Sequence, residues 1–104
     1  MKELPYTAIT ASGATISFRF PLHPLTESEA QVADLLTRVL AAVDEVIGEQ
    51  SPVSDGDVLQ ALAMALAIRT RMVETAPGSV HGLAKELVDS SLEAHSRRSD
   101  TGVH

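Results

Sequence analysis

Residues 54–72 read Ser-Asp-Gly-Asp-Val-Leu-Gln-Ala-Leu-Ala-Met-Ala-Leu-Ala-Ile-Arg-Thr-Arg-Met. Ser54, with Asp57 three positions on, forms a capping box, and Val53 with Val58 is spaced as a hydrophobic staple across it, so a helix starts at Asp55. From there Leu59, Leu62, Leu66 and Val73 fall on one stripe, and Ala61, Met64, Ala65, Ile68 and Met72 on the stripe beside it. The remaining stripe, Gln60, Ala63, Ala67, Thr70, Arg71 and Glu74, itself includes two alanines. A helix that is apolar nearly all round is covered on most sides. Two further helices of one short chain can scarcely cover it. The pattern therefore implies a second subunit, with Ala63, Met64, Ala67 and Ile68 at the interface, while Leu59, Leu62 and Leu66 face the preceding helix and Ile68 and Met72 the following one.

Upstream, Thr26 and Glu29 make a second capping box. Val32, Leu35, Leu36, Val39, Leu40, Val43, Val46 and Ile47 follow at helical spacing, and Gly48 supplies the C-cap. The spacing predicts a helix over 27–48. Before it, residues 6–20 alternate as two strands around a Ser12-Gly13 turn. A two-residue turn sets Ala11 opposite Ala14, Ile9 opposite Ile16 and Thr7 opposite Phe18. One face then carries Ile9, Ala11, Ala14, Ile16, Phe18 and Phe20, and the other Tyr6, Ala8, Thr10, Thr15, Ser17 and Arg19.

Downstream, Ala76-Pro77-Gly78 breaks the chain and Ser79 caps a last helix over 80–96. Its apolar face is Val80, Leu83, Ala84, Leu87, Val88 and Leu92, and Lys85–Asp89 and Glu93–Arg97 are placed as i,i+4 pairs. Residues 97–104 show no pattern and read as a disordered tail. The fold class is thus mainly α (α+β): an N-terminal β-hairpin followed by three helices in a bundle-like, oligomeric arrangement, with one domain over 1–96.

The 104 residues carry 8 Lys+Arg against 14 Asp+Glu, a net charge of −6. An acidic chain is a poor match for nucleic acid or an anionic membrane, both of which need a concentrated basic face. With Arg19 the one basic residue in the hairpin, and Val80-His81-Gly82 opening the last helix, DNA-reading geometries lack their chemistry. The absence of Cys excludes disulfides, thiol nucleophiles and Cys-based metal sites. The longest nearly apolar run, 58–68, is half of what a membrane span of about 20 residues needs, and no leader-like segment opens the chain. A cytoplasmic location is the expectation.

Candidate chemistry is sparse. His23, His81, His95 and His104 are scattered, and no pair stands at i,i+3 or i,i+4, so no metal is expected. Asp55 and Asp57 meet the positive end of a helix dipole and lack the oxygen spacing of a calcium loop. Glu86, Asp89 and Glu93 read as a solvated face. Phosphate-cradling and nucleophile-elbow motifs are missing, and no cofactor is implied. Arg69 is the one charge that sits badly, on the Leu62–Leu66–Val73 stripe. It either snorkels toward Asp34 or Glu45 of the preceding helix or anchors an acidic ligand. The leading expectation is a non-catalytic oligomeric interaction protein whose partner is itself. The alternatives are a small-ligand-binding regulator using Arg69 and, disfavoured by charge, a DNA-binding regulator.

Overall fold

A computed structural model describes residues 2–10, 12–48, 53–73 and 77–99. Three strands and three helices follow in the order β1 (Glu3–Ile9), β2 (Thr15–Pro21), α1 (Glu29–Ile47), α2 (Asp55–Met72), α3 (Pro77–Leu92) and β3 (His95–Ser99). The chain divides into two units: Met1–Ala33 with Leu87–His104, and Asp34–Glu86.

The first unit holds an antiparallel sheet in the order β1-β2-β3. Its hairpin corrects the expected register. Ile9 pairs with Thr15, Ala8 with Ile16, Tyr6 with Phe18 and Leu4 with Phe20. The Thr10 N–H donates to the Ala14 carbonyl at 2.8 Å, so the loop between paired residues spans three positions instead of two. Gly13 sits at φ 90°, in the left-handed region that glycine enters without strain. Its N–H closes the turn onto the Thr10 carbonyl at 2.9 Å, and the Thr10 hydroxyl accepts from the Ala14 N–H at 3.1 Å. That second anchor on Thr10 is what a two-residue reading misses. The expected Ala11–Ala14 pair falls on Ala11, outside the described residues.

One added loop residue turns over one strand relative to the other. Leu4, Tyr6 and Ala8 therefore join Ala14, Ile16, Phe18 and Phe20 on the apolar face, while Ile9 moves to the opposite face and is 72% exposed. Leu4 and Ala14 are the buried hydrophobics among the described residues, and the Phe18 and Phe20 rings stack at 4.9 Å. All three aromatic residues of the chain lie on this face. β1 begins at Glu3, earlier than expected, and takes in Pro5. The Leu22 N–H donates to the Lys2 carbonyl in the same register as the Thr10–Ala14 bond, so even-numbered β1 residues carry the ladder. Pro5, an odd-numbered residue, turns its missing N–H outward, the place a strand tolerates proline.

β3 is the second correction. His95–Ser99 pairs antiparallel with β2, setting Arg19 against His95, Ser17 against Arg97 and Ile16 against Arg98. The last helix therefore ends at Leu92 and not at 96, and Glu93–Arg97 is not a helical pair. Residues 97–99 belong to a strand where a disordered tail was expected, and 100–104 lie outside the described residues. All five β3 residues are exposed, so the strand owes its place to backbone pairing and needs no apolar alternation. A two-stranded hairpin is marginal alone, and a third strand is what makes a small sheet self-sufficient.

α1 starts two residues later than expected. Thr26 is held in a turn before the helix, its N–H donating to the His23 carbonyl at 2.9 Å. Ser28 caps instead: its hydroxyl accepts from the Gln31 N–H at 3.2 Å, an S-x-x-Q box. Gly48 follows the last helical residue without adopting a left-handed φ.

α2 starts where the capping box placed it. The Ser54 hydroxyl accepts from the Asp57 N–H at 3.1 Å. The helix ends at Met72, because Val73 turns extended at φ −77°, ψ 128°, so it does not run on to 75. α3 opens at Pro77, whose fixed φ and missing N–H suit a first helical position. Ser79 consequently lies inside the helix and is not its cap.

Candidate interaction surface

Within the Asp34–Glu86 unit, α1 and α2 share a concavity of about 280 Å³ lined by Ala42, Val43, Val46, Val53, Val58, Ala61 and Leu62. Its walls are carbon. Val53 and Val58, spaced as a staple, both line it. The α2 edge turned to α1 is thus Val58–Ala61–Leu62, not the Leu59–Leu62–Leu66 stripe: Leu59 is 67% exposed and Leu66 41%.

No residue of α2 is buried, and of its 18 residues only Val58 and Thr70 are half-buried. The four residues expected at an interface are all on the surface. Ala63 and Ala67 stand one turn apart on one row, and Met64 (54% exposed) and Ile68 (57%) on the adjoining row. Ile68 and Met72, expected to face the last helix, are open to solvent within their own unit. α1 contributes further: Leu35, Val39, Val46 and Ile47 are exposed, and its half-buried row is Ala33, Leu36, Leu40 and Val43. Apolar surface of this extent on a monomer marks an interaction site or an aggregation hazard.

Arg69 reaches neither Asp34 nor Glu45. Its Nη1 lies 3.3 Å from the Met72 sulfur, on its own helix, and Asp34 is engaged by Arg38 Nε at 3.0 Å. Arg69 does not line the concavity between α1 and α2.

A second concavity, about 460 Å³ in the sheet-bearing unit, is lined by Lys2, Leu22, His23, Pro24, Thr26, Glu27 and Glu29. His23 Nδ1 accepts the Leu25 N–H at 3.1 Å. Among the described residues no group of three His, Asp or Glu side chains gathers to hold a metal, and no helix is long and apolar enough to cross a membrane.

The sequence reading missed a basic cluster. With β3 in place, Arg19, Arg97 and His95 share the polar face of the sheet, with Arg98 on the other face and Lys2 beside β1. Glu3 is the one acid in the described strands, bound to Arg19 Nη2 at 3.2 Å. The premise that Arg19 alone is basic in the strands is therefore corrected. The run of three cationic or titratable side chains in His-Ser-Arg-Arg-Ser after the helix was the available signal, and it is a faint one.

No protein-family model, curated protein or solved structure matches this chain.

Proposed function

We propose that this protein is a non-catalytic, self-associating interaction module, a homodimer whose interface is built on α2. The observation that carries the reading is the exposure of α2 on all but its Val58 edge while its sequence is apolar on nearly every side. Water around Leu59 and Leu66 costs roughly 25 cal/mol for each Å² of apolar surface left uncovered, and a second copy laid along Ala63 and Ala67 removes that cost. Alanines at 63 and 67 let another backbone approach closely. A two-fold arrangement covers the same face on both copies and closes the pair, and the paired helices with α1 then form the bundle that the periodicity implies.

Light scattering at micromolar concentration tests it, with a mass of twice 11.0 kDa expected. Ala63→Glu sets like charges across the axis and converts the dimer to monomer or unfolds it. A wild-type mass equal to that of one chain overturns the reading.

The competing geometry, sheets joined edge to edge, has its own test. β2 is the central strand, so proline at Ile16 or Phe18 breaks the sheet of a single chain and reports nothing about association. Proline in β3, at Ser96, is the informative change. Loss of the dimer with the sheet signal retained would move the interface to that edge.

A further inference from the structure

We infer that the two copies of α2 pair antiparallel, crossing at Ala63, with the acidic start of each helix set against the basic end of the other. The inference rests on the reading of α2 as the dimer interface and adds its orientation and register. α2 carries Asp55 and Asp57 in its first turn and Arg69 and Arg71 in its last. All four are exposed, and none has an ionic partner among the described residues. A parallel pair brings aspartates onto aspartates and arginines onto arginines. An antiparallel pair brings opposite charges together at both ends, the device by which flanking charges fix orientation in paired helices.

The register follows from helix geometry of about 100° and 1.5 Å per residue. With the two-fold at Ala63, the seam on each helix is Gly56, Leu59, Gln60, Ala63, Leu66, Ala67 and Thr70. Leu59 then stands opposite Ala67 of the partner subunit, Gly56 opposite Thr70 of the partner subunit, and Leu66 opposite Gln60 of the partner subunit. On one flank Asp55 comes within about 3 Å of axial height of the partner's Arg69, and on the other Asp57 stands likewise to the partner's Arg71. Both pairs arise from the single choice of Ala63 as the crossing point. Arg69, an anomaly as a residue of a buried stripe, is in place as the flank of a self-interface.

Single cysteines test the geometry cleanly, because the chain has none of its own. Oxidised Ala63→Cys forms a disulfide dimer, since its two copies meet at the axis. Leu59→Cys does not link to itself, because its copies lie roughly 12 Å apart along the axis, whereas an equimolar mixture of Leu59→Cys and Ala67→Cys does cross-link. Arg69→Asp with Arg71→Asp raises the dimer Kd about tenfold or more at low salt, an effect that shrinks as salt rises. Adding Asp55→Arg and Asp57→Arg to that variant restores it. If light scattering gives a dimer but the Ala63→Cys variant does not link, or the Leu59→Cys variant links to itself, the antiparallel register is wrong while the α2 dimer stands. If the wild-type chain is a monomer, both readings fall together.

Discussion

Ile16 and Arg98 are register partners across β2 and β3, so an arginine near the C-terminus stands beside the apolar row that ends in the stacked Phe18 and Phe20 rings. The last described residues are therefore part of the fold. Truncation after Ala94 removes one ladder from the central strand, at a cost on the order of 2–3 kcal/mol if each net backbone hydrogen bond contributes about 1 kcal/mol. Thermal unfolding followed by circular dichroism reads this. An unchanged midpoint would mean that β3 contributes nothing.

The register makes opposite demands on two large side chains. Ile9 is 72% exposed and Phe18 is half-buried beside Phe20. Ile9→Thr is expected to lie within about 0.5 kcal/mol of wild type, as surface changes do. Phe18→Ala is expected to cost about 1–3 kcal/mol, somewhat less than a fully buried ring. Comparable losses at the two positions in denaturant titrations would favour the register with Ile9 on the apolar face.

Capping separates serine from threonine at the start of α1. Ser28→Ala leaves the Gln31 N–H without its acceptor and is expected to cost about 1 kcal/mol, as is Ser54→Ala at α2. Thr26→Ala leaves both caps intact and is expected to change little. Melting midpoints of the three variants decide it, and the order Thr26 worst would return the cap to that residue.

The basic residues of the sheet, Arg19 and Arg97 on its polar face, Arg98 on the other and Lys2 beside β1, belong to a chain with net charge −6. Four cations give at most a modest release of counterions, so retardation of random duplex DNA is expected only near about 50 mM salt and not at about 150 mM. Arg97→Ala with Arg98→Ala removes the low-salt retardation. Binding that persists at the higher salt would make nucleic acid a partner.

Helices were legible wherever a side chain announced them. Ser54 and Asp57 fixed the start of α2 because a capping box is a local chemical fact, independent of what packs above it. Where two boxes competed, at Thr26 and Ser28, the winner depended on the His23 turn, which no periodicity encodes. The hairpin faces failed through one loop residue, since alternation gives the period of a strand and not its phase against a neighbour. β3 left almost no signal. An exposed edge strand has no buried face and therefore no reason to alternate, and its pairing joins opposite ends of the chain. The apolar girth of α2 was plain from Val58 to Ile68, but only the placed helix shows that Val58, Ala61 and Leu62 face α1 while Leu59 and Leu66 stay open. Arg69 lies beside Met72, three positions on along its own helix, and neither Asp34 nor Glu45 comes to it.

Pro5 has a consequence for how far assembly can go. Its side of the sheet withholds a donor from any strand laid alongside β1. At the other margin Arg97 is the midpoint of β3, so two copies of that strand run head to tail would press guanidinium onto guanidinium. Both margins thus discourage the sheet from being extended strand by strand from one copy to the next.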